Sequence, residues 1–105
     1  MKRFGQIIKI RPEKLEYYKK LHAEPWPDVI AKIAECNIRN YSIYIHNDLL
    51  FAYFEYIGTD FKADMQKMAK DEHTQRWWKE TDPCQESLSE DGSEWWLTME
   101  ELFHC

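Results

Sequence analysis

Apolar residues alternate over residues 4–10, with Phe4, Ile8 and Ile10 on one face and Gly5, Ile7 and Lys9 on the other; a period of two predicts a strand. After Pro12, whose fixed φ suits the first turn of a helix, the period lengthens. Leu15, Tyr18 and His22 stand at i, i+3 and i+7 and share one helical face, while Lys14, Glu16, Lys19 and Lys20 point mostly elsewhere. Pro25 and Pro27 flank Trp26 and break this helix, because each disfavours the α conformation in the residue before it. A second helix is predicted from about Pro27, carrying Val29, Ile30, Ile33 and Cys36 at helical spacing. Alternation returns over 39–46, with Tyr41, Ile43 and Ile45 on one side, and the turn signal Asn47-Asp48 predicts a hairpin into a strand over 49–56.

Gly58-Thr59-Asp60 punctuates the chain, and Thr59 or Asp60 can cap a helix whose inner stripe is Phe61, Met65, Met68 and Ala69. A short helix over 72–79 ends in Trp77-Trp78. Residues 80–93 are polar, contain Pro83, Ser87, Ser89 and Gly92, and read as a surface loop; residues 94–104 alternate and read as a last strand. The resulting order is an α+β, ferredoxin-like βαββαβ arrangement with extra short helices and an antiparallel sheet. The run Leu49 to Phe54 is apolar on both sides of the pleat, and Trp95 and Trp96, as strand neighbours, point opposite ways. Both sheet faces are thus expected to be covered, one by helices and the other by a second copy across a two-fold axis, which predicts a homodimer.

A chain of 105 residues with 44% hydrophobic and 15% aromatic residues fits one folded domain over 1–105. Fourteen basic against nineteen acidic residues give a net charge of −5, which argues against a nucleic-acid partner. No apolar run approaches the roughly 20 residues needed to cross a bilayer, and the first residues lack a secretory apolar segment. No membrane association is expected, and a cytoplasmic location is. Cys36, Cys84 and Cys105 form no CxxC pair and read as reduced thiols. His22, His46, His73 and His104 lie in separate segments without metal-ligand spacing, so no metal site is expected.

Chemistry centres on His22, four residues after Tyr18 on one face and close to the Pro25-Trp26-Pro27 break. An imidazole there can give or take a proton near neutrality. Taken alone it reads more simply as a surface or capping histidine, and the surrounding aromatics are what make it a candidate. Trp77 and Trp78 differ by about 100° around a helix and cannot share one core direction. An indole offers a flat apolar plate to a sugar ring and an N–H to its hydroxyls, and Tyr18 and Tyr41 add orienting hydroxyls. Packing alone accounts for these aromatics equally well.

Several spaced blocks carry a resemblance: Tyr18-Lys19-Lys20-Leu21-His22 with Trp26-Pro27, Asn40-Tyr41-Ser42-Ile43-Tyr44, Leu49-Leu50-Phe51-Ala52, Gln75-Arg76-Trp77-Trp78, and Met99 to His104. Together they resemble the L-rhamnose mutarotase family from about Phe4 to His104. That resemblance implies a dimeric α+β barrel and an isomerase that interconverts the α and β anomers of L-rhamnopyranose without metal or organic cofactor. It implies His22 as catalytic proton donor, with Tyr18, Tyr41, Trp77 and Trp78 as substrate-binding residues. Mutarotation also needs a base, for which His22 in its other protonation state, a water and a carboxylate brought close by folding all stay open. So does a related 6-deoxy sugar such as L-fucose as substrate. Two other readings stand beside this one: a non-catalytic small-sugar binding or sensing module, and a cofactor-free dimeric α+β-barrel monooxygenase.

Overall fold

The computed structural model describes all 105 residues. The elements are β1 (Lys2–Ile10), a 3-10 turn (Pro12–Lys14), α1 (Leu15–Ala23), α2 (Pro27–Glu35), β2 (Ile38–His46), β3 (Leu49–Tyr56), α3 (Phe61–Ala69) and α4 (Glu72–Thr81). A second 3-10 turn (Asp82–Cys84), β4 (Gln85–Glu86) and β5 (Leu97–Met99) complete the chain. Local signals set most of these boundaries. Pro12 and Pro27 occupy first turns, where a missing N–H costs nothing. Asp60 caps α3 by accepting from the Ala63 N–H at 3.1 Å, so the cap falls to it rather than to Thr59. Asp71 caps α4, accepting from the N–H of Thr74 at 2.9 Å and its hydroxyl at 2.8 Å.

All pairings in the sheet are antiparallel, in the order β2-β3-β1-β4 expected of a ferredoxin-like domain. Its inner face carries two apolar clusters: Ile8, Ile10 and Leu50 with Tyr18 and Cys84, and Ile38, Phe54 and Tyr56 with Ile33, Phe61 and Met65 packed on them. Along β3 the inward residues Leu50, Ala52, Phe54 and Tyr56 are buried and the outward ones half-buried. Burying a side chain the size of Leu50 contributes on the order of 2 kcal/mol.

A bulge in β2 decides which way Tyr41 faces. Arg39 pairs with Glu55 and Ser42 with Tyr53, so Asn40 and Tyr41 together oppose Phe54. Asn40 takes the extra turn with φ 52° and sends its amide outward to Glu55. Without it, the strict alternation that puts Ile38 inside would turn Tyr41 out. With it, Tyr41 lies against Phe54 on the inner face at 5.7 Å between ring centroids.

The C-terminal third differs from the sequence reading. Residues 80–86 are not surface loop: α4 runs on to Thr81, and Thr81, Cys84 and Gln85 are all buried. The Arg11 N–H donates to the Cys84 carbonyl at 2.8 Å, and Gln85 and Glu86 then pair with Ile10 and Lys9. Nor is 94–104 one strand. Only Leu97–Met99 pairs, with Gly5 to Ile7, so β4 and β5 share one edge of β1 end to end. Between them the chain leaves the sheet in a loop closed on itself. The Ser87 hydroxyl donates to the Glu94 carbonyl, and Asp91 accepts from the Ser93 N–H and the Ser89 hydroxyl, bonds that hold its carboxyl down at about 2. That loop returns Trp95 and Trp96 to the inner side together, correcting their assignment to opposite faces. Ile7, between its partners Phe51 and Leu97, heads the apolar outer face.

Candidate active site

His22 sits in the last turn of α1, which ends ahead of Pro25. Its Nδ1 lies 2.8 Å from the Tyr18 carbonyl one turn earlier. A carbonyl only accepts, so Nδ1 carries the hydrogen and Nε2 is left as the working nitrogen. The Tyr18 ring lies beside the imidazole at 4.3 Å, and Trp77 of α4 meets it edge-on at 5.3 Å. Trp26, which starts α2, packs edge-on against Trp77 at 5.1 Å. Three helices thus fix one imidazole. Its i, i+4 relation to Tyr18 aligns the two side chains, and the proline break places them at the helix end.

This imidazole borders two adjoining cavity lobes of about 560 and 370 Å³, both lined by Tyr18, His22, Tyr41 and Trp77. Cavities of this size suit a small organic ligand. The larger lobe also takes in Trp78, Trp95, Trp96, Gln85 and Asp82. Trp77 is buried and Trp78, 37% exposed, stands at the rim, as their angular offset on one helix requires. Tyr41 lines both lobes with 43% of its surface exposed, and desolvation beside the cavity wall pushes its phenol up to about 12. Burial likewise raises the Tyr18 phenol well above its ordinary value, with the Gln85 hydrogen bond working the other way. Both phenols stay protonated and available as donors.

Across the two lobes the lining contains one carboxylate, Asp82, and one imidazole, His22. Asp82 opens the 3-10 turn that follows α4. Burial raises its carboxyl above the usual carboxylate range, and the neighbouring Trp95 indole partly offsets this. Gln85, only 3% exposed, joins two wall residues: its amide nitrogen donates to the Tyr18 hydroxyl at 2.9 Å, and its carbonyl accepts from the Trp95 indole at 2.8 Å.

The fold therefore brings Tyr18, His22, Tyr41, Trp77 and Trp78, all singled out in the sequence, to one cavity. It adds Asp82, Gln85, Trp95 and Trp96, which sequence reasoning passed over as loop and strand. The adjacent tryptophans were the one signal there, since indoles beside a polar stretch need cover. Cys36, Cys84 and Cys105 are free thiols, and Cys84 is packed in the core.

Residues 3–105 match the family model described as L-rhamnose mutarotase. A protein of that name from Oceanobacillus iheyensis is 34% identical over 106 aligned positions, covering 99% of this chain and 98% of the relative. Those from Lactiplantibacillus plantarum and Bacillus subtilis are 31% and 32% identical at the same coverage. Among solved structures, the crystal structure of an L-rhamnose mutarotase from Formosa agariphila superposes with a TM-score of 0.78 at 22% identity, covering 100% of this chain and 99% of the other. Tetracenomycin F2 cyclase from Streptomyces glaucescens, a type-II polyketide cyclase, gives 0.71 at 16% identity, covering 100% and 96%. At these identities the structural likenesses speak for the fold alone.

Proposed function

Because this chain belongs to the L-rhamnose mutarotase family, we propose that its cavity interconverts the α and β anomers of L-rhamnopyranose, with His22 as acid and Asp82 as base. The observation that carries the proposal is the presence of one imidazole and one carboxylate on the wall of an aromatic cavity of sugar size. Ring opening needs a proton delivered to the ring oxygen as the C1–O5 bond breaks, and a proton removed from the anomeric hydroxyl. The His22 imidazolium gives its Nε2 proton to O5, and the Asp82 carboxylate takes the O1 proton. The C1–C2 bond of the free aldehyde then turns. On closure O5 attacks the other face of C1, returns its proton to His22, and O1 recovers one from Asp82. Both groups end as they began. Trp77 and Trp78 wall the pocket, and Tyr18 and Tyr41 orient the ring hydroxyls.

Catalytic amounts of the protein should exchange saturation between the α and β anomeric signals of L-rhamnose in NMR, well above the spontaneous rate. Exchange on L-fucose but not on L-rhamnose would move the substrate to another 6-deoxy sugar. Binding without exchange on any sugar would leave a non-catalytic sugar module.

The same reading makes the protein a cytoplasmic homodimer. Free rather than paired cysteines support a reducing compartment. No helix is long and apolar enough to cross a membrane. The dimer is supported by the outer face of the sheet, where Ile7 lies between Phe51 and Leu97 and Leu49 follows along β3, an apolar surface that a second sheet can cover. Light scattering should give twice the 12.8 kDa chain mass, and Phe51→Asp should give the single chain. A monomeric wild type would end this part of the reading.

A further inference from the structure

The hydrogen bonds behind Tyr18 run in one direction, fixed by donor and acceptor chemistry alone. An indole N–H only donates. A second donor 2.8 Å from the Trp95 indole nitrogen would be repelled by it, which makes the Gln85 atom facing it the amide oxygen. The other end of that amide, facing Tyr18 at 2.9 Å, is then the nitrogen, which also only donates. The Tyr18 oxygen is thus the acceptor in its contact with Gln85. Its single proton points away from Gln85, on a side chain that lines both cavity lobes.

We infer that Gln85 is a positioning residue: with Trp95 it makes Tyr18 an obligate hydrogen-bond donor into the cavity, where the bound sugar must present an acceptor oxygen. Gln85 is 3% exposed, so water does not compete for its amide. Burial raises the Tyr18 phenol and keeps its proton in place. Tyr18 is thereby excluded as the base that takes the anomeric proton. A ligand placing a C–H or a cation against Tyr18 would be rejected. The inference rests on the mutarotase reading for the identity of the ligand, but not for the polarity of the chain Trp95–Gln85–Tyr18.

Gln85→Glu tests it, because the two side chains share a shape. An ionised carboxylate accepts from both Trp95 and Tyr18, which turns the phenol proton inward. The expected result is a fall of about tenfold or more in kcat/KM for anomer exchange, of the same order as for Tyr18→Phe. In the Tyr18→Phe background the same change should cost little more, since both remove one donor. Activity of Gln85→Glu relative to wild type should recover as the pH is lowered, since a protonated carboxyl can donate to Tyr18 again. His22 and Asp82 on the same wall, and the chain neighbours Cys84 and Glu86, are common to both proteins, so their contributions largely cancel in that ratio. Additive losses, or a ratio flat with pH, would overturn the inference.

Should Gln85→Glu not fold, Trp95→Phe serves instead. It frees the amide to turn over and should lower kcat/KM severalfold; full activity would overturn the inference. A second arm needs no substrate. In the ligand-free protein the Gln85 side-chain amide protons should show nuclear Overhauser contacts to the Tyr18 ring, and the Trp95 indole proton should be protected from exchange. Absence of both removes the chain of hydrogen bonds. Their presence in a protein that exchanges no sugar would instead sink the functional reading alone.

Discussion

His22→Ala should fold normally and lose nearly all acceleration of anomer exchange, by about 10²- to 10⁴-fold, the usual contribution of one positioned proton donor. The fold should tolerate the change because the imidazole is half-buried and its hydrogen bond runs to its own helix, at Tyr18, rather than across the core. Catalysis should not, because the Nδ1 contact leaves Nε2 as the nitrogen able to reach a ligand. Magnetisation transfer on L-rhamnose measures the rate, and sugar-induced changes in tryptophan fluorescence measure binding separately. Preserved binding with lost exchange identifies the acid. An unchanged exchange rate would strip His22 of that role.

Asp82→Asn is expected to give the opposite sign in stability from the one it gives in activity. Folding raises the Asp82 carboxyl through burial, so the unfolded chain releases this proton at lower pH than the folded one does. Between the ordinary carboxylate value and the raised folded value, each step up in pH therefore favours unfolding, and above that window the full cost persists. Asparagine has no proton to release. At neutral pH the variant should melt at or above the wild-type temperature, and the gap should close in acid below the ordinary carboxylate range. Its kcat/KM should fall by about 10²- to 10⁴-fold and lose the acid limb of its pH profile, because the amide accepts no proton. Calorimetry across pH and the exchange assay check the two halves. Retention of the acid limb would place the base elsewhere.

Much of the architecture was legible from periodicity. Leu15, Tyr18 and His22 share a face that lines one cavity lobe, the hairpin turns at Asn47-Asp48, and Phe61, Met65 and Met68 pack inward from α3, whereas Ala69, expected with them, is exposed at the helix end. Alternation groups Tyr41 with Ile43 and Ile45 on one side of β2, as the structure has them, yet the bulge that reconciles this with an inward Ile38 leaves no trace in an alternation count. The last third is illegible for a related reason. A strand of two residues and another of three are too short to show a period, and the polar composition of 80–93 hid the fact that Gln85 is buried. Buried polar residues are chosen by their partners, and the partners of Gln85 are Tyr18, distant in sequence, and Trp95, across a loop. The cavity wall formed by Asp82, Gln85, Trp95 and Trp96 thus comes from segments whose placement only tertiary contacts decide.

Tyr18 serves the cavity twice, with its phenol on the wall and its main-chain oxygen steadying the imidazole one turn on. Side-chain replacement can erase only the first of these services. A mutational scan will accordingly understate position 18, and helix α1 will tolerate losing the phenol far better than any change that unwinds its final turn. An ester in place of the Tyr18–Lys19 amide would weaken the oxygen as an acceptor while sparing the phenol, and so would expose the share of this residue that genetics cannot reach.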